Sequence, residues 1–155
     1  MKRVLFISST GGHLNELLQL RKTMKKYDSY LITEKTKSTL DLKKEFGKKV
    51  KFLKYGTKSH LSYIYIYPYD CIKCLIYFIK IRPKVIVTTG AHTSVFMCYL
   101  AKLFRRKVIY IETFANMVTK TATGRLLYPI SDKFIVQWES MKELYPNADF
   151  GGWIF

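Results

Sequence analysis

A chain of 155 residues, 48% of them hydrophobic, is of a length for one compact domain with a proper core rather than two. Its 27 Lys and Arg against 11 Asp and Glu leave a formal charge of +16, which is extreme for a soluble enzyme and calls for a polyanionic partner: nucleic acid, an anionic membrane face or a phosphorylated substrate. The basic residues are scattered as Lys25-Lys26, Lys43-Lys44, Lys48-Lys49 and Arg105-Arg106-Lys107 among ordered stretches, which argues against a disordered basic arm.

Taken in order, Arg3 to Ser9 is an apolar run that reads as a strand. Thr10-Gly11-Gly12-His13 follows as a tight turn, and Leu14, Leu17, Leu18 and Arg21 then recur at helical spacing, with Asn15 or Thr10 as cap. The alternation repeats. Tyr30 to Glu34 reads as a strand, Ser38 to Phe46 as a helix closed by Gly47, and Lys49 to Tyr55 as a strand ended by Gly56. Further β-branched runs at Lys84 to Gly90, Lys107 to Glu112 and Lys133 to Trp138 enclose helical stretches at Ser94 to Phe104 and Ala122 to Tyr128. Strands alternating with helices imply right-handed crossovers and a parallel sheet covered on both faces, so residues 1–155 are expected to form a single Rossmann-like α/β domain of about six strands.

One segment departs from that pattern. Residues 59–84 are packed with Tyr, Ile, Leu and Phe, yet Asp70, Lys73 and Lys80 make the segment too polar for a bilayer span. Ile72, Leu75, Ile76 and Ile79 fall on one helical face, and Asp70, Lys73, Tyr77 and Lys80 on another. A helix of that kind suits a membrane interface, with Tyr63, Tyr65, Tyr67, Ile72, Lys73, Leu75, Ile76, Ile79 and Lys80 as the expected contacts. The alternative is an ordinary helix covering the sheet. Among the three cysteines, Cys71 and Cys74 form a C-x-x-C inside this helix, without a second Cys or His pair at zinc spacing; the reading is reduced structural thiols and no metal. The opening MKRVLFISST lacks the apolar stretch and cleavage site of an export signal, so a cytoplasmic location is expected.

In open parallel sheets ligands bind at the carboxyl ends of the strands. Those ends carry Thr10 to His13, Glu34-Lys35, Thr88 to His92, Glu112-Thr113 and Gln137 to Glu139. Gly11 and Gly12 allow backbone to approach a ligand at the start of a helix, where free N–H groups favour a phosphate or diphosphate. The turn matches neither the dinucleotide nor the Walker pattern. His13 adds a group able to exchange a proton near neutral pH. Gly90 allows a second turn of the same kind, with Thr93 or Ser94 as cap or hydroxyl ligand. Glu112, closing an apolar strand, is either a carboxylate facing the ligand or a structural acceptor for neighbouring donors.

The TGGH turn, the VTTGAH turn, YIETFA and the long run GRLLYPISDKFIVQWESMKELYPNADFGGWIF resemble the acceptor-side subunits of two-chain UDP-sugar glycosyltransferases. These comprise the anchoring subunit of the UDP-N-acetylglucosamine transferase of lipid-linked oligosaccharide assembly and its bacterial relatives, the galactosyltransferase enhancers of capsule and exopolysaccharide synthesis. The resemblance implies the N-terminal half of a GT-B glycosyltransferase, bound peripherally at the cytoplasmic face of the membrane. It implies that the chain holds a polyprenyl-diphosphate-linked sugar and recruits a separate donor-binding subunit as a heterodimer or larger assembly. No cofactor is expected on this chain, and the UDP-sugar belongs to the partner. By position, His13 and Glu112 are the catalytic candidates, and Thr10, Gly11, Gly12, Asn15, Thr89, Gly90, His92 and Thr93 the acceptor- or phosphate-binding set; the base is left open among His13, His92 and Glu112. Ser8-Ser9 stands where relatives carry more glycine, and the eukaryotic subunit's N-terminal membrane helix has no counterpart, which makes the helical segment the expected membrane contact. Trp138, Trp153 and Phe155 are the expected partner-docking residues, or else a last core element.

Two other functional classes fit the sequence less well. A basic module binding nucleic acid or membrane without catalysis fits the charge but shows no nucleic-acid signature. A self-sufficient nucleotide enzyme is disfavoured by the missing phosphate-loop patterns.

Overall fold

The computed structural model describes residues 1–56 and 63–154. Seven parallel strands form one sheet: β1 (Arg3–Ser8), β2 (Asp28–Glu34), β3 (Val50–Leu53), β4 (Val85–Gly90), β5 (Lys107–Ile111), β6 (Lys133–Val136) and β7 (Asp149–Phe150). Their spatial order is β3-β2-β1-β4-β5-β6-β7, so the winding reverses between β1 and β4. That reversal splays the following crossovers to opposite sides and opens a crevice at the strand ends.

The strands are near-continuous buried runs because helices cover both sheet faces. Val4, Phe6, Leu31, Val87 and Ile111 lie on one face with Leu14, Leu17 and Leu18 of α1 (Gly12–Leu18), Met24 of α2 (Arg21–Met24) and Leu42 of α3 (Leu42–Phe46). Leu5, Ile7, Ile32, Ile86, Val108 and Tyr110 lie on the other, against α4 (Tyr63–Ile81), α5 (His92–Leu103), α6 (Ala122–Leu127) and α7 (Met141–Leu144). Side chains such as Leu17 and Ile86, fully withdrawn from water, each stabilise the fold by roughly 1.5–3 kcal/mol. The first face is covered unevenly. Beyond α1, an apolar groove of about 350 Å³ runs over Val4, Phe6, Val85, Ile109 and Ile135.

Several element limits differ from the expected ones. The sheet has seven strands rather than six, because Asp149 and Phe150 pair with Ile135 and Val136. Gly151 continues this ladder with its N–H on the Val136 carbonyl, and a Cβ there would stand 2.6 Å from Ile135 Cγ2. The expected helix Ser38 to Phe46 is two pieces, a 3₁₀ turn at Lys37–Thr39, started by a capping box between Thr36 and Thr39, and then α3.

Candidate functional site

The first turn is built on Gly11, whose φ of 86° and ψ of −142° suit only glycine. Neither Thr10 nor Asn15 caps α1; Gly11 itself occupies the cap, and no side chain bonds there. The first helical hydrogen bond runs from the Asn15 N–H to the Gly11 carbonyl at 3.0 Å, so the N–H groups of Gly12, His13 and Leu14 precede it. Gly11, Gly12 and Asn15 are exposed.

The second turn grips the first. Thr89 is fully buried, and its hydroxyl donates to the His13 carbonyl at 2.6 Å, so it positions the neighbouring turn instead of meeting a ligand as expected. Gly90, at φ 102°, lies against the imidazole: a Cβ there would come within 3.3 Å of His13 Cε1 and 3.4 Å of Nδ1. Nδ1 is buried without a hydrogen-bond partner among the described residues, and His13 as a whole is half-buried. The expected cap on α5 is absent too. Ala91 occupies that position, Ser94 donates to the Ala91 carbonyl, and the Thr93 hydroxyl is buried in a small chamber beside His92, Asp70 and Tyr67.

Two carboxylates that the site residues above do not include join these turns. Glu34, 2% exposed at the end of β2, accepts the Thr10 N–H on Oε2 at 3.1 Å, while Oε1 has no hydrogen-bond donor among the described residues and stands 3.8 Å from His92 Nε2. Burial pushes its carboxyl above the ordinary range; the Thr10 N–H opposes that shift and the charge of Asp70 adds to it. Glu16, on the buried side of α1, accepts the Thr113 hydroxyl at 2.8 Å and the Phe114 N–H at 3.0 Å, tying α1 to the loop after β5. Burial raises its carboxyl as well, against those two hydrogen bonds. The available signal was an acidic residue inside an otherwise apolar stripe, as in Leu14-Asn15-Glu16-Leu17-Leu18 and Leu31-Ile32-Thr33-Glu34.

Glu112 takes the structural role. It is 1% exposed, and it accepts the Tyr110 and Tyr145 hydroxyls at 3.1 Å each, the Thr113 N–H at 3.0 Å and the Thr121 hydroxyl at 3.0 Å. Thr121 in turn caps α6 by accepting the Gly124 N–H. Gly124 must lack a side chain, since a Cβ would strike Glu112 Oε2 and the Tyr145 hydroxyl. The catalytic expectation for Glu112 is therefore corrected: its oxygens are spent inside the fold, beneath α6.

Helix α4 both covers the sheet and exposes apolar surface. Cys74, Phe78 and Ile81 are buried, and Asp70 is buried with them, accepting the Lys54 N–H at 2.9 Å. Asp70 thus leaves the solvent-facing set of Lys73 and Lys80. Tyr67 also turns inward, lining the small chamber with Asp70, Cys71 and Cys74, and so leaves the expected membrane contacts. Tyr65 at 80% and Ile72 at 60% are well exposed, and Leu75, Ile76, Ile79 and Lys80 are exposed too. Lys73 is half-buried. Helix α4 begins at Tyr63, and residues 59–62 of the expected membrane segment lie outside the described residues. Burial raises the thiols of Cys71, Cys74 and Cys98, against the activation a redox pair needs.

At the far rim, Trp138 donates its indole N–H to the Phe114 carbonyl at 2.8 Å, and Phe114, Trp138 and Trp153 pack as an aromatic trio with centroids 4.8 to 5.4 Å apart. Trp153 remains largely exposed over a hollow bounded by Gln137, Glu139 and Phe150. Phe155, named with it for docking, lies outside the described residues. No helix among the described residues is long and apolar enough to cross a membrane, and no group of three metal-ligating side chains occurs among them.

Comparison with known proteins adds to this geometry. The family described as "Oligosaccharide biosynthesis protein Alg14 like" matches residues 4–154. A UDP-N-acetylglucosamine transferase subunit ALG14 of Yarrowia lipolytica is 30% identical over 97% of this chain and 80% of its own length. The subunit of that name from Mus musculus is 27% identical over 97% of this chain and 82% of its own. Among solved structures, Acinetobacter baumannii MurG superposes with a TM-score of 0.73 at 15% identity, covering 90% of this chain. The UDP-GlcNAc 2-epimerase of Methanocaldococcus jannaschii does so at 0.69 and 16%, covering 91%. These likenesses bear on fold, and the chain spans 43% and 41% of those two structures.

Proposed function

This chain belongs to the family of Alg14-like oligosaccharide biosynthesis proteins, and from that premise we propose that it is the acceptor-side subunit of a split UDP-sugar glycosyltransferase. It holds a polyprenyl-diphosphate-linked sugar at the cytoplasmic membrane face, while a separate subunit brings the UDP-sugar, for building capsular or exopolysaccharide repeat units through a β-1,4 hexosyl linkage. The observation that carries the reading is the grip on His13, whose carbonyl is held by Thr89 and whose ring is seated on Gly90 at the strand ends.

In this reading the acceptor diphosphate lies at the first turn of α1, where the N–H groups of Gly12, His13 and Leu14 and the positive end of the helix favour anionic oxygens. The acceptor hydroxyl attacks the anomeric carbon of the donor. The new glycosidic C–O bond forms as the bond to the UDP oxygen breaks, UDP leaves with that electron pair, and the proton of the hydroxyl passes to His13 Nε2. Attack opposite the leaving group inverts the anomeric configuration. The Thr89 and Gly90 contacts hold the imidazole, and such positioned proton transfer contributes about 10²–10⁴-fold in rate. Glu34 braces the first turn through the Thr10 N–H, and Glu16 ties α1 to the loop after β5.

The relatives' printed names describe transferase subunits, which supports a partner. Two surfaces await one: the apolar groove over β4, β5 and β6, and the Trp138–Trp153 hollow. The exposed apolar arc of α4 supports placement against a membrane. The test is sugar transfer from a panel of UDP-sugars to polyprenyl-diphosphate-linked sugar by this chain, by the donor subunit and by both. Transfer that needs both chains is expected; equal transfer by the donor subunit alone would reduce this chain to a scaffold.

A further inference from the structure

A second charged feature lies away from the crevice, at the open edge of the sheet. Strand β3 is the last strand on that side, and between it, α3 and α4 runs a groove of about 700 Å³. Five lysines line it: Lys35 after β2, Lys43 on α3, Lys48 in the turn before β3, Lys51 on β3 and Lys73 on α4. None of the five stands within ion-pair distance of a carboxylate among the described residues, although Asp28, Asp41, Glu45, Asp132 and Asp149 all pair with other cations. The acid that feels Lys73, Asp70, is buried and spends Oδ1 on the Lys54 N–H.

Edge strands often carry lysine to block pairing with another chain, but that function needs lysines on the strand itself. Here they converge from five separate segments. Aromatic rings hold two of the five in place: Lys43 lies 5.8 Å from the Phe52 centroid, and Lys73 lies 5.4 Å from Tyr69 and 5.9 Å from Tyr77. Holding several unneutralised ammonium groups together costs stability through self-repulsion, which an anion would relieve.

The neighbouring surface selects the anion. At about 100° per residue, the outward arc of α4 divides in two. Tyr69, Lys73, Tyr77 and Lys80 flank the groove, while Tyr65, Ile72, Ile76 and Ile79 form an exposed apolar strip alongside. A row of cations bordered by tyrosines and then by aliphatic side chains matches a bilayer in cross-section: headgroup phosphates, interface, acyl chains.

We propose that the β3–α4 groove is a binding site for the phosphate headgroups of an anionic lipid surface, with the apolar strip of α4 entering the interface beside it. This extends the membrane placement above. Its test reads vesicles and not sugar transfer, so failure here and failure of the transferase reading are distinguishable.

The full chain is sedimented with vesicles of phosphatidylcholine alone and of phosphatidylcholine mixed with phosphatidylglycerol. Two variants lose the same charge: Lys43→Gln/Lys51→Gln/Lys73→Gln in the groove, and Lys22→Gln/Lys25→Gln/Lys26→Gln around α2, which packs on the opposite sheet face. Since each lysine near an anionic leaflet is worth about fivefold in affinity, the groove triple is expected to bind mixed vesicles about a hundredfold more weakly than the wild type. It should melt no lower than the wild type, since self-repulsion is relieved, and keep the wild-type binding to phosphatidylcholine alone, and the α2 triple should lose little. Equal loss in both triples means diffuse charge and overturns the site, as does undiminished binding by the groove triple. Oligonucleotide binding lost in the groove triple, with vesicle binding retained, assigns the groove to nucleic acid and also overturns it.

Discussion

Replacing Glu112 with alanine separates a structural carboxylate from a catalytic one. The substitution leaves the Tyr145 hydroxyl and the Thr113 N–H without their acceptor and the Tyr110 hydroxyl with only Thr121 Oγ1 at 3.4 Å, in residues that are 0%, 8% and 1% exposed. A buried donor left unpaired costs about 1–3 kcal/mol. Thr121 is half-buried and can turn to water, so it adds little. Two stranded donors and one weakly paired one, less some relief from no longer burying a carboxyl group, give a loss of about 4 kcal/mol. For a chain of this size that lowers the melting temperature by about 8–16 °C. Glu112→Gln keeps one acceptor oxygen and should lose about half as much. The assay is thermal and urea unfolding followed by circular dichroism, beside transfer activity in the reconstituted pair. Glu112→Ala with a melting temperature within about 2 °C of the wild type but no transfer would refute the structural assignment and return Glu112 to the catalytic set.

For His13 the opposite pattern is expected: His13→Ala lowers transfer by about 100-fold or more while the melting temperature and capture of the donor subunit stay unchanged. Gly90→Ala combines a φ of 102° with a Cβ 3.3 Å from His13 Cε1; it should lower kcat by displacing the imidazole and destabilise the fold by about 1 kcal/mol or more, both read on one preparation. Ile72→Asp with Ile76→Asp places charge in the exposed strip of α4 and should release the protein from vesicles without changing its melting temperature; undiminished sedimentation removes the interfacial role. Asp132 gives the pH dependence. Burial alone would raise its carboxyl, but Lys107, the Val108 N–H and Lys102 outweigh that and hold it at about 2. A depressed carboxylate adds stability that is fully present above the unfolded value of about 3.9 and is lost as pH falls through about 2. The gap in urea midpoint between wild type and Asp132→Asn should therefore be wide at about pH 6 and close toward about pH 2.

The alternating strands and helices, the parallel sheet and the two glycine turns were legible in the chain because each depends on near neighbours: apolar spacing, a glycine where φ is positive, a helix following a strand. The roles of the polar residues at the strand ends were legible only in part. His13 and Gly90 were marked by type and position, and they do meet. Thr89 carried the same mark, yet its hydroxyl faces inward to the His13 carbonyl. Glu112 presented two readings, and the choice rested on Tyr145, 33 positions away, and on Gly124 leaving room above it.

By itself the sequence determined the fold class, the crevice and the family, since hydrophobic periodicity and turn chemistry are encoded within a few residues and the matching motif runs nearly the whole chain. Tertiary structure decided which groups face one another. Which side of α4 meets the sheet places Asp70 and Tyr67 inside and Ile72, Ile76 and Ile79 outside, a choice made by its packing against α5 and the end of β3 and not by its own periodicity alone. The lysine groove is the clearest case. Its five cations are scattered from position 35 to position 73 in the chain, and only the packing of α3 and α4 beside the last strand of the sheet brings them to one edge.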